Sequence, residues 1–109
     1  MATWKTQKAN SLFSAILRLK NLHEAQRFFR DLLTKEEIRE FSERWEAARL
    51  LDRKIPYTTI IRSTGLSSTT IARVQRWLQR GMNGYRLLID RTKKNKRSAG
   101  HHTHFSASP

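Results

Sequence analysis

Apolar residues recur every three or four positions along most of this chain, which is the spacing of one face of an α-helix. The pattern predicts a first helix that Asn10 or Ser11 caps through its side chain. Five more helices follow, at about Leu22–Leu33, Lys35–Arg53, Tyr57–Thr64, Ser67–Arg80 and Asn83–Thr92. We therefore expect an all-α protein with six helices.

The third helix has the clearest start signal. Thr34 and Glu37 have the spacing of a capping box, in which each side chain accepts a hydrogen bond from the other residue's amide. The remaining faces of this helix alternate glutamate and arginine, as in the pairs Glu40/Arg44 and Glu46/Arg49, which suits a solvated surface. Its apolar stripe is expected to be buried and consists of Ile38, Phe41, Trp45, Ala48 and Leu51.

Residues 56–80 have the spacing of a helix-turn-helix, in which two short helices meet through a tight turn. Gly65 supplies the left-handed conformation that side chains resist, and Ser67 can cap the second helix through its hydroxyl. Pro56 sets the start of the first helix. The apolar residues expected to fill the angle between the helices are Ile60, Ile61, Leu66, Ile71 and Val74.

The charge of the chain indicates a polyanionic partner. Lysine and arginine number 22 against 9 acidic residues, giving a net charge of +13, and such an excess is typical of nucleic-acid-binding proteins. No carboxylate occurs between Asp52 and Asp90, as expected of a surface that approaches phosphates. We therefore predict contacts with double-stranded DNA, in the major groove, from the residues that the helix-turn-helix leaves exposed. They are Thr58, Arg62, Ser67, Ser68, Thr69, Thr70, Ala72, Arg73 and Arg76.

Composition divides the chain into three parts. Residues 1–9 are expected to be flexible, residues 10–92 to form one helical domain, and residues 93–109 to form a basic, disordered tail. The tail could follow phosphates through its basic run at 91–97 or could only aid solubility. With 38% hydrophobic residues the core is thin, and dimerisation would be an ordinary remedy.

Other classes of function find little support. The chain has no cysteine, which excludes disulfides and zinc fingers. No apolar run reaches the roughly 20 residues of a membrane span, and no signal peptide is evident, so we expect a cytoplasmic protein. Neither a carboxylate pair nor a Ser/His/Asp order appears, so we expect no enzyme activity. A weak transition-metal site at His101, His102 and His104 is possible only as a minor alternative to a disordered tail.

Several of these features occur together in one known family. The segments RFFRDLLTKEEIREFSERWEAARLL and STTIARVQRWLQRGMNGYRLLI resemble the tryptophan repressor superfamily, and within it the YerC/YecD branch of TrpR-like regulators. The resemblance covers about residues 11–92. It implies a six-helix, intertwined homodimer of bacterial type, in which the fourth and fifth helices of each subunit read a palindromic DNA operator, as in a repressor.

The resemblance also bears on an effector. In the tryptophan repressor the corepressor is held by two arginines, a glycine and a serine. Arg44 and Arg73 match the two arginines, whereas Val74 and Trp77 stand at the glycine and serine positions. Val74 would occupy the room that an indole needs, and Trp77 offers no hydroxyl. We therefore expect that free L-tryptophan is not an effector and that no cofactor is bound. Arg44 and Arg73 could bind another anion or pair with glutamates of the third helix.

Two rival functions stay open on the sequence. One is a basic protein that binds RNA or bulk DNA, as nucleoid proteins do, without reading sequence. The other is a protein-interaction module that uses the glutamate- and arginine-rich third helix as its partner surface.

Overall fold

The computed structural model describes residues 3–99, with side chains described up to residue 93. Over these residues the chain forms six α-helices and no strand, which confirms the predicted class. The chain divides into two compact units, residues 1–40 and residues 41–109. The helices are α1 Gln7–Ile16, α2 Leu22–Leu32, α3 Lys35–Asp52, α4 Tyr57–Thr64, α5 Ser68–Arg80 and α6 Gly84–Ala99.

Helix α1 begins earlier than the pattern predicts. Its N-cap is Thr6, whose hydroxyl accepts a hydrogen bond from the Ala9 amide at 3.0 Å. The expected cap, at Asn10 or Ser11, is therefore wrong, and the supposedly flexible segment 1–9 contains the first residues of a helix. Gln7, Lys8 and Ala9 are good helix formers, so the helix extends through them to the nearest hydroxyl that can cap it.

Helix α6 ends later than the pattern predicts. It continues for seven residues beyond Thr92 and ends at Ala99, so the boundary expected between residues 92 and 93 lies within a helix. Lysine and arginine lose little side-chain freedom in a helix, and a basic composition by itself therefore does not end one. The rest of the expected tail, including His101, His102 and His104, lies outside the described residues.

Side-chain caps position the starts of α2 and α3. The Asn21 side chain accepts from the Glu24 amide at 2.9 Å, ahead of α2. The predicted capping box of α3 is present in both directions, with Thr34 Oγ1 3.0 Å from the Glu37 amide and Glu37 Oε1 2.9 Å from the Thr34 amide. These contacts satisfy backbone donors that have no partner within the helix.

The first unit, which holds α1, α2 and the start of α3, has no buried residue among those described. Leu17 is 83% exposed and Leu22 is 74% exposed, although both lie among the apolar positions that predicted the helices. Ile38 is only half-buried, and Phe41, just beyond this unit, is exposed. The predicted buried stripe of α3 is therefore wrong at its start, because periodicity shows which face is apolar and not what covers it.

The second unit contains the hydrophobic core, which helices α3 to α6 build together. Ile60 and Ile71 are the largest fully buried side chains. Trp45 lies at the edge of the core, where its ring stacks on Tyr85 with 6.5 Å between centroids. The other buried apolar residues are Ala47, Ala48, Leu50, Leu51, Val74, Leu78 and Ile89.

An ion-pair network joins the end of α3 to α6. Arg86 Nη1 lies 2.7 Å from Asp52 Oδ1 and 3.3 Å from Asp90 Oδ1, and Lys93 Nζ lies 2.6 Å from Asp52 Oδ2. The Asp52 side chain is only 9% exposed. The hydrogen bond from Lys93 is the main cause of a lowered pKa for Asp52, with Arg86 acting in the same direction against the effect of burial.

The turn between α4 and α5 has the geometry that the sequence predicts. Gly65 has a φ of +75° and its amide donates to the Ile61 carbonyl at 2.8 Å. The hydroxyl of Thr64 donates to the Ile60 carbonyl at 2.8 Å and accepts from the Leu66 amide at 3.2 Å. Ile61 is 36% exposed, so the prediction that it fills the angle is wrong, and Ile60 alone of the pair points into the core.

Replacing Asp52 should reveal the network as a pH-dependent loss of stability. Because the folded-state pKa of Asp52 is lowered from 3.8, its contribution is present above that pH and disappears as the pH falls through the folded value. We expect Asp52→Asn to lower the free energy of unfolding at pH 7 by about 1–2 kcal/mol, since both cationic partners are partly solvated. Urea titrations at several pH values measure this.

The matched control is Asp90→Asn, because Asp90 touches the same arginine but is 56% exposed. It should change stability by at most about 0.5 kcal/mol. The role assigned to the Asp52 carboxylate would be contradicted if the free energy of unfolding of the wild-type protein exceeded that of Asp52→Asn by the same amount in acid as at pH 7.

Gly65→Ala should destabilise the protein by about 1–2 kcal/mol, because the alanine must adopt a left-handed conformation. A Cβ at this position would meet no atom within 4 Å, so the backbone is the only source of the cost. Gly84→Ala is the control, since a Cβ there also has open space but no positive φ. That variant should be neutral or slightly stabilising. Equal effects on the thermal unfolding midpoint would exclude the conformational explanation.

Candidate nucleic-acid interface

Helix α5, the second helix of the helix-turn-helix, begins with a network of hydroxyl groups. Ser67 Oγ accepts from the Thr70 amide at 3.1 Å and donates to Thr70 Oγ1 at 3.1 Å. This confirms Ser67 as the cap of the helix. Ser67 and Thr70 therefore contribute to the start of α5, while Ser68 and Thr69 are exposed beside them.

The outer face of α5 follows from the helical advance of 100° per residue. Ile71, Val74 and Leu78 are buried on one side of the helix. The opposite side is exposed throughout and contains four of the predicted contacts together with one arginine that the sequence reasoning missed. It consists of Thr69, Ala72, Arg73, Arg76 and Arg80.

Arg80 could have been found from the sequence, because it follows Arg76 by four residues and therefore lies on the same face. Because the predicted helix ended at Arg80, this residue was not included among the predicted contacts. In the structure it is the last residue of α5 and is exposed.

The first helix of the pair contributes a second exposed surface. Thr58 and Arg62 are both exposed and lie four residues apart, on one face of α4. Ahead of them, Lys54 has a left-handed backbone with a φ of 65° and an exposed side chain. Lysine in this conformation is uncommon, and the sequence offered no signal for it.

The electrostatic character of this surface is cationic. Residues 53–89 contain no acid, and the preceding acid, Asp52, is paired with Arg86 and Lys93. The exposed arginines of α4 and α5 therefore have no neighbouring carboxylate within that stretch to oppose an approaching phosphate. Such a surface can bind a polyanion along its length, and its short hydroxyl side chains can reach hydrogen-bonding groups.

The two arginines considered for an effector lie on different helices. The Arg44 guanidinium is 5.8 Å from the centroid of the Phe41 ring. Burial of Tyr85 raises the pKa of its hydroxyl, and the positive charge of Arg44 acts in the opposite direction. Arg73 is exposed on the outer face of α5. The structure thus places Arg44 beside aromatic rings and Arg73 on the candidate interface.

The two residues that distinguish this chain from the tryptophan repressor pattern lie in different environments. Val74 is 2% exposed and belongs to the hydrophobic core, whereas Trp77 is 51% exposed near the end of α5. Val74 therefore fills space within the second unit, and the Trp77 ring is accessible to solvent.

Across residues 3–99, no cluster of three or more histidine, cysteine or acidic side chains is suited to hold a metal ion. The described helices also include none with the length and apolar character needed to cross a membrane.

Comparison with known proteins gives consistent matches. The family model described as Trp repressor protein matches residues 7–93. The uncharacterised protein YerC of Bacillus subtilis strain 168 is 41% identical over 90 residues, which cover 83% of this chain and 86% of that protein.

Two solved structures are similar over most of their length. A TrpR-like protein from Eubacterium eligens ATCC 27750 has a TM-score of 0.81 and 42% identity, covering 85% of this chain and 96% of that one. A protein from Staphylococcus aureus has a TM-score of 0.78 and 38% identity, covering 82% of this chain and 89% of that one.

The match to the family model spans nearly all the described helices, and the two structural matches cover 85% and 82% of the chain. Together with the cationic helix-turn-helix, they indicate a DNA-binding regulator. The chain belongs to the Trp repressor protein family.

Proposed function

We propose that this protein is a transcriptional repressor that binds a specific palindromic operator in the major groove as a homodimer. The observation that carries the proposal is the outer face of α5, which is exposed, cationic and without acids. A helix of this kind fits the major groove, where base pairs are distinguishable by their hydrogen-bonding groups. Such a protein would act in the cytoplasm, on chromosomal DNA.

The side chains of this face suggest a division of roles. Ser68, Thr69 and Ala72 are short and lie in the first half of α5, so the helix can approach base edges closely there. Arg62, Arg73 and Arg76 are long and cationic, and they suit the phosphates on either side of the groove. Ser67 and Thr70 can offer contacts only in addition to their capping bonds, and Thr58 can contact a phosphate from α4.

The proposal of a dimer is supported by the first unit. Its amphipathic helices bury none of their described residues in the single chain, and Leu17 and Leu22 are largely exposed. Leu87 and Leu88 of α6 are also about half exposed. A second copy could cover such apolar surface, and a two-fold axis would place two α5 helices in successive major grooves about 34 Å apart.

Free L-tryptophan is not the effector in this proposal. The burial of Val74 in the core supports this, because this branched side chain stands where the resemblance implies a glycine, and a closely packed core leaves it little freedom to move aside. The exposed Trp77 supplies an indole N–H and no hydroxyl. We assign no cofactor and no enzyme activity to the protein.

A second candidate is binding to RNA or bulk DNA without sequence preference. The observation that favours it is the continuation of α6 to Ala99 through a run rich in lysine. A basic helix can follow phosphates and contribute to affinity without reading bases. In vitro selection from random duplexes separates the candidates, because only an operator-binding protein yields one palindrome with fixed spacing.

Two substitutions test the division of roles on α5. We expect Thr69→Ala to relax the preference at one position of each half-site, where a lost base contact costs about 1–3 kcal/mol. Arg76→Ala should instead weaken binding to all duplexes alike. It should also reduce the slope of log affinity against log salt concentration by about one, since one phosphate contact is lost. Fluorescence anisotropy with selected and scrambled duplexes, over a range of salt concentrations, measures both.

Arg27→Ala is the control, since it removes an exposed arginine from α2 and should leave both quantities unchanged. Indistinguishable effects of Thr69→Ala and Arg76→Ala would overturn the division. The selection is repeated with added L-tryptophan, and a large gain in affinity would contradict the exclusion of that effector.

The oligomeric state tests the proposed role of the first unit. Analytical ultracentrifugation should give twice the chain mass for the wild-type protein. Leu17→Lys combined with Leu22→Lys should shift it towards the monomer, because each charge would be buried in an apolar interface. His23→Lys, at an exposed neighbouring position, should remain dimeric. A wild-type monomer at all accessible concentrations would refute the dimer.

A further inference from the structure

A polar cavity lies where the end of α3, the inner flank of α5 and the start of α6 meet. Its volume is about 390 Å³, which is within the range of pockets that hold small ligands. Leu51 and Leu78, which belong to the hydrophobic core, supply its apolar part. The rest of the lining is polar or charged and consists of Asp52, Lys54, Gln75, Gln79, Asn83 and Arg86.

Two residues of the lining have an unusual backbone conformation. Lys54 has a φ of 65° and Asn83 a φ of 69°, and among residues 3–99 no other non-glycine residue has a positive φ. Asparagine tolerates this left-handed region, whereas lysine adopts it uncommonly. Such outliers cluster at ligand-binding sites, where the surrounding structure holds them. The turns before α4 and before α6 therefore place an ammonium and a carboxamide at the cavity despite a conformational cost.

The polar side chains of the cavity differ in how they are engaged. Arg86 Nη1 lies 2.7 Å from Asp52 Oδ1, so these two charges offset each other. The side chains of Lys54, Gln79 and Asn83 are exposed and form no hydrogen bond or ion pair with any residue whose side chain the structure describes. An ammonium and two carboxamides are therefore available as hydrogen-bond donors, and the lining has one excess positive charge.

Gln79 brings the cavity to the edge of the outer face of α5. With 100° per residue, Gln79 lies about 20° from Ala72 and about 60° from Arg76 around the helix, and both of these residues are exposed on that face. Gln75 lies about 40° from Ile71, which is buried in the core. The two glutamines therefore extend from the core to the outer face, so a ligand beside Gln79 would lie next to any duplex that α5 binds.

We propose that this cavity binds a phosphate group, with the Lys54 ammonium as the counter-charge and the carboxamides of Gln79 and Asn83 as hydrogen-bond donors. The three donors come from three different elements. They suit a tetrahedral anion with several acceptor oxygens better than a planar carboxylate with two. A lysine ammonium is a compact point charge of the kind that binds phosphate.

The phosphate group has two possible sources. One is a backbone phosphate of a duplex bound on α5, and this source rests on the proposed function. The other is a free phosphate ester, which would bind whether or not the protein reads DNA.

Titration with inorganic phosphate tests the binding on the full-length protein by two-dimensional NMR at pH 7. Chloride at the same ionic strength is the reference, and acetate is the planar anion for comparison. We expect phosphate to shift the side-chain amide signals of Gln79 and Asn83 and chloride to leave them unchanged. Acetate should bind about fivefold more weakly, because it has fewer acceptor oxygens and less charge. Gln79→Glu removes one of these signals and thereby assigns it.

Lys54→Gln should weaken phosphate binding about tenfold, because it removes the counter-charge. The variant keeps a non-glycine residue at the left-handed position, so the backbone cost is unchanged. Arg53→Gln is the matched control, since it removes the adjacent exposed cation, which does not line the cavity. Its effect should be within about twofold, because solvent and salt screen it. Gln79→Glu should also weaken binding, as its carboxylate repels phosphate, and circular dichroism establishes that all variants keep their helices.

The same titration with an excess of a short mixed-sequence duplex distinguishes the two sources. If a backbone phosphate occupies the cavity, the duplex itself shifts the Gln79 and Asn83 signals and inorganic phosphate no longer does. If a free phosphate ester is the occupant, inorganic phosphate still shifts them in the complex.

Equal affinity for phosphate and acetate would overturn the proposal, as would equal losses in Lys54→Gln and Arg53→Gln. Shifts confined to the region of Arg73 and Arg76 would do so too. An absence of shifts with phosphate, as expected if a second copy of the chain covers the cavity, would have the same meaning. Failure to bind the duplex would contradict the proposed function alone, because the first titration contains no DNA.

Discussion

The burial of Ile60 and Ile71 is the interaction on which the rest of the second unit depends. These two side chains come from the two helices of the helix-turn-helix, and both are fully enclosed. Ala47 and Ala48 of α3 belong to the same core and are also fully buried, and their small side chains permit close approach of neighbouring helices. Burying an isoleucine contributes about 1.5–3 kcal/mol, so the pair is a substantial part of what holds α4 and α5 in place.

This packing explains how one helix can have both a structural and a recognition face. Ile71, Val74 and Leu78 use the inner side of α5 to complete the core. The same helical period places Thr69, Arg73 and Arg76 on the outer side. Because the residues of the inner face are buried in the core, a rotation of α5 would expose isoleucine and valine to water. The orientation of the arginines is therefore a consequence of the core.

Asp52 adds a second constraint at the junction of α3 with the helix-turn-helix. A carboxylate at the C-terminal end of a helix is opposed by the helix dipole, and this one is also largely buried. Arg86 and Lys93 offset both costs from α6. The same pairing offsets the charge of the acid that directly precedes the acid-free stretch 53–89. A single network thus connects stability and surface charge.

Local signals in the sequence were sufficient for much of the architecture. The six helices, the capping box of Thr34 and Glu37, the cap at Ser67 and the left-handed turn at Gly65 each depend on neighbouring residues. Their hydrogen bonds form within three or four positions, so the residue types and their spacing specify them. The exposed contacts predicted on α5 follow from the same periodicity, although Arg80 was missed at the helix end.

Only the tertiary structure decided which apolar faces are covered. Ile60 is buried and Ile61 is not, and the first unit leaves its apolar positions accessible. The ion pair between Asp52 and Lys93 joins residues 41 positions apart, on α3 and α6. Such contacts depend on how helices pack against one another, and no local sequence pattern specifies which distant residues meet. The sequence by itself therefore determined the helices and the charged face of α5, while folding determined the core and the Asp52 network.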